Sequence, residues 1–195
     1  MPDSPAADGS RPVLICIAGP NGAGKSTFYR SHLHRAGLRF VNADEIAREL
    51  GLAAYEAARV ADVVRRELVR QRESFVFETV IADPVGEKLR FLSEAEEAGY
   101  RVVLVFIGLA NAETSEQRVA MRVTQGGHDV PPEKLVGRFP RTLANLRRAL
   151  QSLEEVWVFD HSDLAHPFRR VAVIRRGQPA FLAEEQPEWF QACRV

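Results

Sequence analysis

The chain has few cysteines, no charge imbalance and no long apolar run. Its 195 residues include two cysteines, Cys16 and Cys193. That is too few for a disulfide framework and points to a reducing compartment. No stretch approaches the ~20 apolar residues of a membrane-spanning helix. No membrane partner is expected, and a cytoplasmic location is. Lys and Arg number 26 against 26 Asp and Glu, for a formal net charge of +0. The bulk basic field that nucleic-acid binders use is therefore missing. Aromatic residues make up 8% of the chain, and few fall near any candidate site, which argues against stacking of single-stranded nucleic acid. No His/Cys cluster stands at metal-ligand spacing, so zinc is not expected.

What remains is ordinary for a globular protein: 46% hydrophobic and 27% charged residues, enough for one domain with a full core. Residues 1–11 are rich in Pro, Ala, Ser and Asp. They read as a flexible N-terminal tail and not as a signal peptide. Residues 12–195 read as a single domain, because no repeat, heptad pattern or internal linker interrupts them.

The most informative stretch is Gly19 to Thr27, Gly-Pro-Asn-Gly-Ala-Gly-Lys-Ser-Thr. It contains the pattern G-x-x-x-x-G-K-[ST] of a phosphate-binding loop. Glycines let the backbone turn back and aim its N–H groups inward, and the next helix adds its own N-terminus. Gly19, Pro20, Asn21, Gly22, Ala23, Gly24, Lys25, Ser26 and Thr27 are thus the candidate nucleotide cradle. Lys25 would reach the β- and γ-phosphates, and the Ser26 hydroxyl would ligate Mg²⁺. The context fits: the apolar run Val13–Ala18 precedes the loop as a buried parallel strand, and a helix follows.

Further strands are expected at Phe40–Val41, Ser74–Glu78, Arg101–Leu109 and Val156–Phe159. A terminal hairpin of 170–175 and 179–182 turns at Gly177. Helices are expected over 53–72 and from Asp83-Pro84, as N-cap and first-turn proline, to about Ala98, where Gly99 stops it. Two more are expected at about 113–125 and over 131–154. In the last, Pro140 calls for a kink or a split. Alternating strands and helices specify an α/β fold with a mainly parallel sheet. In such sheets the site forms beyond the C-terminal strand ends. Those ends carry the phosphate loop, Asn42–Asp44, Glu78–Asp83 and Asp160–Asp163.

Asp44, after the second strand, faces an incoming acceptor, where it would take a hydroxyl proton or help hold Mg²⁺. Its alternative is a helix N-cap. Glu78 would hold metal, water or a substrate hydroxyl, with Thr79 as a donor beside it. Asp83 reads as the cap of its helix. Arg118 and Arg122 stand four apart on one helix face, and two guanidinium groups suit the charge of a transferring phosphoryl group. Their alternative is a solvated charged face. Gly126-Gly127 would hinge a helical lid. His128 lies beside it, and Arg138 and Arg141 on the next helix are further candidates, with a solvated surface role favoured.

These stretches together resemble the zeta-toxin family, small P-loop kinases of bacteria. The resemblance rests on Ala18–Phe28, Phe40–Ile46, Phe77–Thr79, Arg118–His128 with Val130-Pro131, and Asp160–Ser162. It implies a three-layer P-loop NTPase fold like that of shikimate- and gluconate-type kinases. It further implies ATP or GTP with Mg²⁺ as cofactors, and the 3′-hydroxyl of UDP-N-acetylglucosamine as acceptor. By the same resemblance Asp44 is the base, and Glu78, Thr79 and His128 border the acceptor. Arg118 or Arg122 contacts the transferring phosphate, and an antitoxin protein is a partner. Val80 stands where the best-studied toxins carry threonine, and His128 falls near their second lid arginine, which implies a different sugar or another small alcohol. Residues alone leave two other readings open: a nucleotide-dependent switch ATPase acting through a partner, and a nucleic-acid end kinase, which the neutral charge disfavours.

Overall fold

The structure, a computed structural model, describes residues 11–124 and 131–194. Val13–Ala18 forms β1, buried along its whole length. Lys25–Phe28 is a short helix, α1, continued by π-helical and 3₁₀ turns to Ala36. There follow β2 (Arg39–Val41), α2 (Ala43–Leu50), α3 (Ala54–Arg70), β3 (Phe75–Thr79), α4 (Glu87–Glu97) and β4 (Arg101–Gly108). The chain continues through α5 (Ala112–Thr124), α6 (Pro132–Ser152), β5 (Glu155–Asp160), β6 (Arg169–Arg175), β7 (Gln178–Leu182) and α7 (Glu188–Gln191).

One sheet runs in the order β2-β3-β1-β4-β5-β6-β7. Its first five strands are parallel, and β6 and β7 add an antiparallel edge. Period-two alternation sends β1 side chains to both faces. Leu14, Cys16 and Ala18 join a core with Ala61 and Leu68 of α3, Leu92 of α4 and Leu146 of α6. Val13, Ile15 and Ile17 join a second core with Phe28, Leu33 and Phe139. Two helical layers therefore cover the sheet, which is why its central strands are continuously apolar. β1 lies between β3 and β4, so the chain leaves it in opposite directions. The crevice at the C-terminal end of β1 is the switch point where such sheets bind ligands.

The structure refines or departs from the expected elements at five places. Asn42, not Asp44, caps α2: its Oδ1 accepts from the Asp44 and Glu45 amides at 2.8 and 3.3 Å. Asp83 does not open a helix. It sits in a turn and accepts the Glu87 amide at 2.5 Å, so α4 starts at Glu87 after the αL residue Gly86. The helical Glu45–Glu49 that follows Asp44 forms a helix of its own, α2, which Gly51 closes before α3 begins. Pro140 neither splits nor ends α6. It lies on the exposed face, where water can satisfy the carbonyl released by its missing N–H. The terminal helix α7 was not foreseen. Trp189 of α7 packs so close to Gly108 that a Cβ there would lie 2.2 Å from its ring.

Candidate active site

The loop between β1 and α1 is shaped by two glycines. Gly19 has φ +147°, and a Cβ there would lie 2.2 Å from the Ile107 carbonyl oxygen. Gly24 has φ +84°, and its Cβ would meet the His161 ring at 2.8 Å. Any side chain at either position would push the loop off β4 or off His161. His161, just past β5, holds the loop from below. Its Nδ1 lies 2.9 Å from the Ala23 carbonyl, so the proton sits on Nδ1, since a carbonyl only accepts. Burial pushes the His161 imidazole below its usual value, against the pull of the Ala23 carbonyl. Helix α5 docks on the same loop, with Ser115 Oγ donating to the Asn21 carbonyl at 2.7 Å.

Lys25 is buried. Its Nζ donates to the Gly19 and Pro20 carbonyls at 3.1 and 3.0 Å. Burial lowers its pKa, while Glu78 and Asp44 hold it up. Ser26 Oγ donates to Glu78 Oε2 at 2.7 Å. Burial raises the Glu78 carboxyl above the ordinary glutamate range, against the opposing effect of Lys25. The loop lysine and the β3 carboxylate thus face each other within one electrostatic unit.

These groups open onto a cleft of about 630 Å³. Its lining brings together Asn21, Gly22, Lys25, Asp44, Glu78 and Thr79, as the sequence leads one to expect. Asp44, in the first turn of α2, is exposed there. Thr79 Oγ1 is turned to its own loop and accepts the Ile81 amide at 3.2 Å. Arg118 and Arg122 do not converge. Arg122 lines the cleft and acts on Lys25. Arg118 lies outside that lining and donates through Nη2 to the Ser162 carbonyl at 3.0 Å. Asp160 and Ser162 face inward as well: Asp160 Oδ1 accepts from Ser162 Oγ at 2.6 Å and from Trp189 Nε1 at 3.0 Å. The 160–163 segment therefore braces the loop. His128 and Gly126-Gly127, where the sequence leads one to expect a hinge, lie outside the described residues.

Sequence reasoning missed part of the wall. Lys134 of α6 lines the cleft, and with it Arg138 and Arg141, candidates for which a surface role was the favoured reading. Arg65, Asp62 and Lys88 line it from α3 and α4. Buried Thr142 and Asn145 of α6 hold the loop after β3. Asn145 Nδ2 donates to the Ile81 and Asp83 carbonyls at 2.8 and 2.9 Å, and Thr142 Oγ1 reaches the Val80 carbonyl at 3.2 Å. Between them sits Ile81, buried at φ +54°. A β-branched residue avoids that region unless its surroundings impose it.

The donor set fits a nucleotide with Mg²⁺. The loop and α1 would supply N–H groups for phosphate, Lys25 charge, and the Ser26 hydroxyl, now donating to Glu78, a hard oxygen ligand. Among the described residues no group of three His, Cys, Asp or Glu could hold a metal unaided. The ion would therefore arrive with the phosphates. No helix among the described residues is long and apolar enough to cross a membrane.

A family model described as an AAA domain matches residues 14–146. An uncharacterized protein of Haemophilus influenzae is 28% identical over 130 residues, covering 64% of this chain and 91% of its own. Among solved structures, the AvrRxo1-ORF1:-ORF2 complex with ATP aligns with a TM-score of 0.70 at 20% identity, over 96% of this chain. This chain spans 65% of that relative's length. The PezAT chromosomal toxin–antitoxin system of Streptococcus pneumoniae aligns with a TM-score of 0.60 at 15% identity, covering 96% of this chain and 86% of that one. At such identities the likeness establishes the fold, an α/β P-loop architecture with a mainly parallel sheet.

Proposed function

The chain belongs to the AAA domain family, whose model covers residues 14–146, and from that premise we propose that it is a P-loop kinase of a small-molecule hydroxyl. The acceptor we propose is a UDP-amino sugar, with the 3′-hydroxyl of UDP-N-acetylglucosamine first. One observation carries this reading: Asp44 and Glu78 share a 630 Å³ cleft with Lys25 and Arg122. A kinase needs carboxylates on the acceptor side of its phosphate loop and room for a second substrate beside the nucleotide.

The nucleotide phosphates replace the Gly19 and Pro20 carbonyls as partners of Lys25. Asp44 orients the acceptor hydroxyl and takes its proton as the oxygen attacks the γ-phosphorus. The bond from that phosphorus to the bridging oxygen breaks, and the nucleoside diphosphate leaves with the electron pair. Arg122 offsets the charge on the transferring oxygens. Ser26, freed from Glu78, and the phosphates would hold Mg²⁺, which neutralises developing charge. Glu78 positions the acceptor. ATP or GTP serves as donor. The zeta-toxin resemblance, and the PezAT toxin–antitoxin system among the structural relatives, support an antitoxin protein as partner.

The test is a phosphotransfer assay with ATP or GTP, Mg²⁺ and a panel of UDP-sugars and small alcohols, read by mass spectrometry. A phosphate added to UDP-N-acetylglucosamine is expected. Asp44→Asn should keep nucleotide affinity and lose roughly 10²–10⁴ in turnover. Unchanged turnover would remove Asp44 from the base role. A phosphate on another hydroxyl would replace the amino sugar as acceptor.

A further inference from the structure

Arg65 is 5% exposed, whereas its neighbour Arg66 keeps 69% of its side chain in solvent. Burying a guanidinium is costly unless something holds it. Two contacts do so: an ion pair with Asp62, and the face of Phe77, whose ring centre lies 4.8 Å from the guanidinium carbon. Phe77 belongs to β3, one residue before Glu78. The guanidinium plane is thereby fixed at the cleft wall and not left to swing.

Asp62 also accepts from Lys88 Nζ of α4 at 2.6 Å. One carboxylate thus serves two cations. Burial pushes the Asp62 carboxyl up, yet Lys88 and Arg65 together hold it below the usual range. The cluster keeps a net positive charge. It lies where the main cleft meets a smaller cavity of about 200 Å³ between α3 and α4, and the three side chains line both. Concave walls concentrate such a field. A brace between α3 and α4 would need only one cation for the carboxylate.

We propose that Arg65 and Lys88, set by Asp62 and Phe77, form a seat for an anionic group carried by the acceptor, a phosphate or a carboxylate. The use of this seat in phosphoryl transfer rests on the kinase reading above; its affinity for an anion does not. Arg65, with Nη2 held by Asp62, offers its remaining N–H groups, and Lys88 adds a point charge. A neutral sugar of the same shape would leave the surplus charge unmatched and bind poorly.

The test keeps the phosphate loop filled. Protein saturated with Mg²⁺ and a non-hydrolysable ATP analogue is titrated calorimetrically with inorganic pyrophosphate and, separately, with malonate. One of these anions should bind, and which one tells phosphate from carboxylate. Lys88→Gln should weaken that binding about tenfold, as expected for a lost charge-assisted hydrogen bond, with an unchanged melting temperature. Lys88→Glu should abolish it, and Arg65→Met should match Lys88→Gln if it folds. If neither anion binds the wild-type protein, or Lys88→Gln binds as tightly, the seat does not exist. Lys88-dependent binding without transfer to any UDP-sugar would sink the amino-sugar acceptor and leave the seat standing. Transfer to UDP-N-acetylglucosamine with an unchanged KM in Lys88→Gln would do the reverse.

Discussion

Arg118 and Arg122 look equivalent in sequence and are not equivalent in space. Arg122 lines the cleft and acts on Lys25, while Arg118 is bound to the Ser162 carbonyl. Arg122→Ala should therefore lower turnover by roughly 10³ or more. Arg118→Ala should lower it far less and mainly loosen the 160–163 segment. Steady-state kinetics of the two variants decides; equal losses would mean that both reach the phosphates. His161 carries a pH prediction. Its folded-state pKa is depressed below the usual 6.5, chiefly by burial. The unfolded chain therefore binds this proton more readily than the folded one. The stability linked to His161 is fully present above pH 6.5 and is lost as pH falls through the depressed folded value. Denaturation midpoints followed from pH 7.5 downward should show this decline in the wild type, and His161→Gln should flatten it. A decline of equal slope in both would shift the cause to other groups.

At the scale of elements, the site is a meeting of loops held by helices. Asn145 on α6 donates to two carbonyls that bracket Ile81, so α6 and the loop after β3 behave as one piece. Asn145→Ala would leave those carbonyls short of donors and let Ile81 relax from φ +54°. A destabilisation of about 1–3 kcal/mol is expected, with faster amide exchange confined to residues 79–83. Exchange unchanged there would mean that packing alone holds the loop. Helix α5 is tied to the loop at Asn21 through Ser115. Whatever α5 does on nucleotide binding, its first turns start from a docked position. Helix α7 acts from the far end of the chain. Its Trp189 donates to Asp160, next to the His161 that supports the phosphate loop. Trp189→Phe keeps the ring volume in part and leaves Asp160 Oδ1 with Ser162 alone. It should cost about 1–3 kcal/mol in denaturant unfolding, and a smaller effect would assign Trp189 to packing only.

At the scale of the molecule, the architecture was legible because it rests on local pattern. Val13–Ala18 reads as a buried strand because both its faces are covered, and Phe75–Thr79, Arg101–Gly108 and Glu155–Asp160 read so for the same reason. The phosphate loop was legible because backbone geometry demands glycine at Gly19 and Gly24, and chemistry demands Lys25 and Ser26. Asp44 and Glu78 stand together because β2 and β3 are neighbouring parallel strands, Asp44 lying just past the end of β2 and Glu78 near the end of β3. The cleft wall built by α3, α4 and α6 was not legible. Nothing in the charged pattern of α3 separates Arg65 from Arg66, since both sit in a helix rich in Arg and Glu. Their difference arises only when α3 lies against β3 and α4, which puts Arg65 over Phe77 and shares Asp62 with Lys88. The same holds for the split between Arg118 and Arg122, and for the α6 cations Lys134, Arg138 and Arg141. Strand positions and the chemistry of the phosphate loop follow from residue type and spacing, because the forces that set them act over a few residues. The opposite wall of the cleft depends on side chains from several helices meeting across it, and distances of that kind exist only once the chain has folded.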